Sequence, residues 1–326
     1  MISGIKNRKV IKKDLFDAIE GYYAMSVIYL LHSNGILNYN SGEINTNSGN
    51  KNIYISLKFL QQRTDIIVVT HAGKYALAKK YRHYLQLGYH LEKIIGAYGN
   101  FPAIKGKYGI EINKKSFAVA YRTAGYYVNG TVQQHILEKL GAKYVLDLGC
   151  GYCNSLIGFC RAGEKRKGIG IDLNSIICSD VKKKIKSQNL NKKIKIICGD
   201  ASKFDHILSN DEISGIDVII GSNYFNEFFQ TDNNAVRILK KLKRYFPGKR
   251  IIVLDYYSTW DTKDYQRKAY QHNYIHDLIQ LLSGQGLPPP NYNKWNIVYA
   301  KAGYILEEVM EGNSGGIKWF IHILRS

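Results

Sequence analysis

The 326 residues make about two domains of roughly 150 residues each, and a hydrophobic fraction of 45% can fill a sizeable core. Intrinsic disorder, a collagen-like repeat and a disulfide-stapled miniprotein are therefore excluded, and five cysteines, with Cys150, Cys153 and Cys160 crowded together, are no disulfide framework, so a reducing, cytoplasmic setting is expected. Forty-six Lys plus Arg against 26 Asp plus Glu give +20, which favours an acidic partner such as RNA, but the cations in Lys182–Lys186, Lys192–Lys195 and Lys240–Arg250 fall on helical or turn positions where they read as a solvated face, and nucleic acid is disfavoured.

In chain order, Leu15, Phe16, Ile19, Tyr22, Tyr23, Val27, Leu30 and Leu31 recur at helical spacing and predict a long amphipathic helix from Asp14 to Leu37, ending near Gly35. Its longest apolar run, Tyr22–Leu31, is about half of the roughly 20 residues a bilayer span needs, so no membrane span is expected. The basic residues Met1–Lys13 lead into no apolar stretch with a cleavage site, and export is not expected. Turn residues make Asn38–Asn52 a loop, Ser56–Gln62 reads as a short helix, Asp65–Thr70 as a β-branched strand and His71–Leu77 as a further helical segment. Helix, helix, strand ribbon is a winged-helix pattern. Its second helix carries few cations, so a dimerisation and lid role fits at least as well as DNA binding. Glycines and Pro102 break Tyr81–Lys115 into short helices and turns, and Ser116–Leu140 reads as a helix interrupted around Gly125 and Gly130. The expected domains are 1–115 and 116–326.

From Lys143 the rhythm changes to short apolar runs separated by helical segments: Tyr144–Leu148, Gly168–Asp172, Lys193–Ile197, Ile216–Ile220 and Arg250–Leu254. Buried parallel strands have this appearance, and Ile305–Met310 with Lys318–Leu324 close the chain as an antiparallel pair. The predicted class is α/β with a doubly wound sheet.

In such sheets a ligand lies at the carboxyl ends of the strands, where glycines admit close backbone approach. The first strand runs into Asp147-Leu-Gly149-Cys-Gly151-Tyr-Cys153, the second ends in Asp172 and the third is followed by Gly199-Asp200-Ala201. Asp172 is placed to accept hydrogen bonds from ribose hydroxyls, and Asp200 with the Ala201 amide to address adenine. The dinucleotide spacing Gly-x-Gly-x-x-Gly fails at Asn154, which disfavours a pyrophosphate.

Val145-Leu-Asp-Leu-Gly-Cys-Gly151, Gly170-Ile-Asp172 and Cys198-Gly-Asp200-Ala201 together resemble the motifs of the class I S-adenosylmethionine-dependent methyltransferases over roughly residues 140–326. The resemblance implies a Rossmann-like, seven-stranded sheet and S-adenosyl-L-methionine as cofactor. Asp147, Gly149 and Gly151 would surround the methionine part, Asp172 and Leu173 the ribose side, and Asp200 and Ala201 the adenine, with Ser222 at the neighbouring strand end. The family usually has a third glycine where this chain has Cys153, which reads here as a small buried hydrophobe. No second Cys or His pair follows at ligand spacing, and His272 and His276, one helical turn apart, read as a helix face, so no metal is expected.

The fourth strand leads into Ser222-Asn223-Tyr224-Phe225-Asn226-Glu227, where an acceptor would meet the sulfonium. With the winged-helix pattern before it, the whole chain resembles the small-molecule O- and C-methyltransferases of secondary metabolism. These are usually homodimers whose N-terminal helices cover the neighbour's site. In that group a His followed by Asp or Glu commonly serves as base after the fourth strand; the aligned pair here is Asn226-Glu227. Asn cannot remove a proton, so either Glu227 takes that role or the acceptor is already nucleophilic, such as an amine, a carboxylate or an enolisable ketoacid. A helix cap with its first-turn acid is the structural alternative for the pair. Tyr23, Tyr126, Tyr127 and Tyr256 are candidate substrate-binding residues, with Tyr152 and Tyr257 as further ring faces for a sulfonium, Tyr224 and Asn223 beside the chemistry, and 26 tyrosines in all to choose from. Two other readings remain at this point: a cyclase or lyase that displaces methylthioadenosine to form a small-ring amino acid, and an RNA or DNA methyltransferase, for which Asn223-Tyr-Phe-Asn226 lacks the usual prolines.

Overall fold

A computed structural model describes residues 17–18, 21–38, 43–45, 51–79, 96, 113–125, 131–259, 273, 276–277, 280, 285–314 and 317–326. Its contacts divide the chain into two units, Met1–Asn100 and Phe101–Ser326.

In the first unit, helix α1 (residues 21–33) and helix α2 (Lys51–Arg63) pack Ile28 and Leu31 against Leu57 and Leu60, and against Ile67 and Leu77 of a hairpin formed by β1 (Ile67–Val69) and β2 (Tyr75–Leu77). Gly35, in left-handed conformation at φ 68°, ends α1 as its position predicts. His71–Leu77 is not helical. Gly73 at φ 69° and the Thr70 N–H to Lys74 carbonyl bond of 2.8 Å... close a turn. Pairing Ile67 with Leu77 then buries both side chains, a tertiary gain that outweighs local helical preference. The helix expected at Ser56–Gln62 begins at Lys51, inside the predicted loop, and that loop carries isolated antiparallel bridges Leu37 to Ile44 and Glu43 to Ala76.

The second unit holds α3 (Lys114–Gly125) and α4 (Thr131–Lys139); the stretch 126–130, with the expected interruption, lies outside the described residues. There follow β3 (Tyr144–Leu148), α5 (Asn154–Arg161), β4 (Lys167–Asp172), α6 (Ser175–Ser187), β5 (Ile194–Cys198), α7 (Phe204–Ile207), α8 (Asn210–Gly215), β6 (Val218–Ser222), α9 (Asp232–Tyr245), β7 (Arg250–Tyr256), α10 (Tyr292–Lys301), β8 (Ile305–Ser314) and β9 (Ile317–Arg325). The seven strands stand in the order β5-β4-β3-β6-β7-β9-β8. Strands β3 to β7 are parallel, and β9 runs antiparallel to both of its neighbours. The order turns back between β3 and β6, where Leu148 pairs with Gly221, so a crevice opens at that carboxyl edge.

Alternation along each strand feeds two cores. Leu146, Leu148, Ile219, Ile251 and Val253 face α9 and α10, while Val145, Ile220 and Ile252 face α5 and α6. One polar side chain inside, His322 of β9, is held by the hydroxyls of Tyr299 at Nδ1 (2.9 Å) and Tyr257 at Nε2 (3.0 Å). Burial pushes its pKa down to about 3, so the ring is neutral and both nitrogens are satisfied. Among the described residues no helix is long and apolar enough to cross a membrane.

Candidate active site

The turn between β3 and α5 is built from left-handed residues: Gly149 (φ 65°), Gly151 (φ 50°) and Cys153 (φ 53°). Backbone bonds from Cys150 N–H to the Ile171 carbonyl (3.1 Å) and from Cys153 N–H to the Cys150 carbonyl (2.9 Å) fix its path. Cys153, standing where the resembling family has glycine, keeps the left-handed backbone a glycine would adopt, and its side chain is buried. Room for it comes from β4. A Cβ on Gly170 would come within 2.7 Å of the Cys150 sulfur and 2.9 Å of the Cys153 sulfur. At Gly149 a Cβ would come within 3.1 Å of the Tyr224 ring in a conformation that disfavours side chains. Gly149→Ala is therefore expected to cost about 1–2 kcal/mol of stability, read as a fall in melting temperature of about 2–4 °C per kcal/mol. An unchanged melt would mean that the turn relaxes freely.

Three carboxyl groups line the edge. Asp147 is 4% exposed, and its Oδ1 has no hydrogen-bond partner. Burial, with the nearby Asp172 charge adding to it, pushes its pKa up to about 8. Asp172 is a clamp: Oδ2 accepts from the Gly151 N–H (2.9 Å) and Oδ1 from the Asn174 N–H (2.8 Å). Burial raises its pKa, and those two N–H groups oppose the rise. Asn174 in turn caps α6, accepting from the amides of Ile176 and Ile177. Beside the clamp, Leu173 is 69% exposed, an apolar side chain on a rim of carboxylates. Gly199 N–H reaches the Asp172 carbonyl at 2.9 Å and brings Asp200 to the same edge. Asp200 Oδ1 accepts from the Ser202 amide (2.9 Å) and hydroxyl (2.7 Å), starting a 3-10 turn that buries Ala201.

After β6 the chain makes a left-handed bend at Asn223 (φ 48°) and a 3-10 turn, Phe225–Phe228. Ser222 Oγ accepts from Gln133 Nε2 at 2.8 Å, and Gln133 Oε1 accepts from the Ser155 hydroxyl. One buried side chain of α4 thus ties the end of β6 to the start of α5. Tyr224 is buried with its hydroxyl lacking a partner, and burial pushes its pKa up. Asn226 is 3% exposed; its N–H donates to Asp255 Oδ2 (2.9 Å), its carbonyl accepts from Gln280 Nε2 (2.5 Å), and its Oδ1 has no partner. It lies inside the 3-10 turn, whose N-cap position is Tyr224, so it is no helix cap. Glu227 follows, half-buried. Asp255 also accepts from the Tyr256 amide, and burial pushes its pKa up to about 8 against those bonds.

The strand ends thus bring together Asp147, Gly149, Gly151, Asp172, Leu173, Asp200, Ala201, Ser222, Asn223, Tyr224, Asn226 and Glu227 at one edge of the sheet. Tyr256, at the end of β7, is buried with its ring 4.5 Å from that of His276. Tyr23 belongs to the first unit, where it is 59% exposed; Tyr126, Tyr127 and His272 lie outside the described residues. Among the described residues no group of three or more His, Cys, Asp or Glu could hold a metal ion. The sequence reading missed Gln133, Asp255 and Gln280. Asp255 carries a usable signal, an acid closing an apolar strand just as Asp172 does; the two glutamines carry none.

The sequence model of a methyltransferase domain matches residues 145–247, spanning β3 to the end of α9. Three solved structures share the fold at low identity. The mitomycin 7-O-methyltransferase MmcR aligns at a TM-score of 0.68 with 14% identity, covering 99% of this chain and 100% of its own. CalO1, a methyltransferase in calicheamicin biosynthesis solved with S-adenosylhomocysteine bound, aligns at 0.59 with 16% identity, covering 97% and 98%. RosA from Streptomyces davawensis, an N,N-8-amino-8-demethyl-D-riboflavin dimethyltransferase, aligns at 0.56 with 14% identity, covering 98% and 99%. Residues 145–247, from the first strand of the parallel sheet to the end of α9, thus match a methyltransferase domain, and the three structures share the fold over nearly the whole chain.

Proposed function

We propose that the carboxyl edge of β3, β4 and β5 holds S-adenosylmethionine and that the turn after β6 presents it to a small-molecule acceptor, whose nucleophilic atom takes the methyl group. The observation carrying this reading is the set of three carboxyl groups at adjacent strand ends, one of them, Asp147, buried with a free oxygen. The residues suit the group. A cationic ammonium would satisfy Asp147 Oδ1, the second lone pairs of Asp172 remain for ribose hydroxyls, exposed Leu173 offers an apolar face to a base, and Gly149 leaves room that a side chain would fill.

When bound, the cofactor supplies an electrophilic methyl on a sulfonium, a strong leaving group that needs little covalent help. The chain's own contribution is therefore orientation, worth several kcal/mol when reacting atoms are held about 3 Å apart. The 225–228 turn suits that task because Asp255 and Gln280 fix the backbone of Asn226 from both sides. Asn226 orients the acceptor through its amide, and the half-buried carboxylate of Glu227, next in the turn, takes a departing proton. Acceptors that need no strong base, such as amines, carboxylates or enolisable ketoacids, follow from that pairing. RosA, by its name, methylates an amino group, and MmcR an oxygen, so the fold serves both chemistries. We read residues 21–77 as a winged helix, the segment 1–115 as the dimerisation and lid unit of a cytoplasmic homodimer, and 116–326 as the catalytic unit.

Calorimetry with S-adenosylhomocysteine tests the cofactor half: micromolar binding is expected, and no binding overturns it. Incubation with S-adenosylmethionine, with and without a metabolite panel, tests the reaction. S-adenosylhomocysteine that accumulates only with an acceptor is expected, whereas methylthioadenosine formed from the donor alone would replace methyl transfer with tail displacement.

A further inference from the structure

Four of the five cysteines surround the cofactor edge, and one pair combines an accessible thiol with a buried partner. Cys198 closes β5 and is exposed; Cys178 lies on the first turns of α6 and is buried. Side chains alternate along a strand, so Cys198 shares a face with Ile194 and Ile196. Those two residues pack in one core with Ile177, Cys178, Val181 and Ile185 of α6. Cys198 therefore projects from β5 on the side that α6 covers. Across the gap, the Cys178 sulfur lies 3.3 Å from the Asp172 carbonyl oxygen and 3.9 Å from that of Ile197, the residue preceding Cys198. Asp172 and Cys198 are register partners between β4 and β5. Reversible oxidation favours an accessible thiol with a second thiol beside it; burial pushes the pKa of the Cys178 thiol up to about 12, so the exposed Cys198 is the one that reacts first.

Resting on the nucleoside site proposed above, we infer that Cys178 and Cys198 form a reversible disulfide that weakens cofactor binding. The Cys198 thiolate attacks a low-molecular-weight disulfide such as oxidised glutathione, forming a mixed disulfide and releasing one thiol. Cys178 then attacks the Cys198 sulfur, releasing the second thiol. The protein loses two hydrogens, and the oxidant is reduced to two thiols. The new bond draws the sulfurs to about 2.05 Å and removes the Cys178 S–H from the Asp172 carbonyl. That carbonyl also holds the Gly199 amide, so the ribose acid and the adenine turn are both anchored at the group that moves.

The full chain is incubated with oxidised glutathione, alkylated and mapped by mass spectrometry, while calorimetry follows S-adenosylhomocysteine binding before and after oxidation. A peptide linking Cys178 to Cys198, with affinity reduced at least tenfold and restored by dithiothreitol, is expected. In Cys198→Ala the affinity should be the same with and without oxidant, whereas Cys178→Ala should give no linked peptide and retain the glutathione adduct on Cys198. Absence of the linked peptide, linkage of Cys150 to Cys153 in its place, or a linked protein of unchanged affinity would overturn the inference. Failure of the reduced chain to bind S-adenosylhomocysteine would instead overturn the nucleoside reading and, with it, the proposed consequence of oxidation; the linked peptide tests the thiol pair separately.

Discussion

Asp172→Ala is expected to weaken S-adenosylhomocysteine binding about a hundredfold or more, a loss of at least about 2.7 kcal/mol. The carboxyl group accepts from two backbone amides, those of Gly151 and Asn174, and each such bond to a charged group is worth about 1.5–3 kcal/mol. Its removal frees the glycine-rich turn from the start of α6 and takes away the proposed ribose acceptor at the same time. Asp172→Asn is a sharper probe than it looks. An amide side chain presents one oxygen and one NH2, so one of the two backbone N–H groups would face another donor. Asn should therefore fall closer to Ala than to the wild type. Calorimetry measures the affinity, and a thermal melt shows whether the fold survives; a folded Asp172→Ala protein with wild-type affinity would remove Asp172 from the site.

Binding of S-adenosylhomocysteine should also strengthen as pH rises, up to tenfold per unit, and level off above about pH 8. Burial holds the Asp147 carboxyl protonated in the free protein up to about 8, and its Oδ1 has no partner. A cationic ammonium beside it would favour the carboxylate, so binding expels the proton, and the cost of expelling it grows as pH falls. The sign for folding is opposite. Because the folded-state pKa is raised from 3.8 to about 8, the folded chain binds more protons than the unfolded one in that window. The free protein's stability from this group is thus lost as pH rises toward 8, and Asp255, raised to the same value, acts in the same direction. Titrations in two buffers of different ionisation enthalpy will register the released proton, and Asp147→Asn should abolish it. Affinity that stays flat between about pH 6 and pH 8 would mean that Asp147 faces no cation.

The parallel strands were readable because each is a short run of β-branched residues closed by glycine or an acid, a pattern that burial on both faces imposes. The aspartates were readable for a related reason: Asp147 and Asp172 interrupt such runs where the strand meets the crevice. Other features depend on partners far along the chain. Gln133 is an ordinary helix residue until Ser222, 89 positions later, comes beside it, and Gln280 gains meaning only from the Asn226 carbonyl 54 positions earlier. Asn226 itself was singled out for its type, but its fixed backbone required Asp255. The hairpin at Thr70–Leu77 was misread because Ala76 and Leu77 suit a helix as well as a strand, and the choice is made by Ile67 across the turn.

The placement of β9 between β7 and β8 has a consequence for synthesis. Strand β8 precedes β9 in the chain, yet among the described residues it joins the sheet through β9 alone. Until Ile317–Arg325 have been translated, β7 keeps one flank of unpaired amides and carbonyls, and β8 has nothing to dock on. A chain truncated before Ile317 would therefore leave that edge of β7 bare, an open template for pairing with another chain. Insertion of Phe320, Ile321, Ile323 and Leu324 then completes both cores in one event.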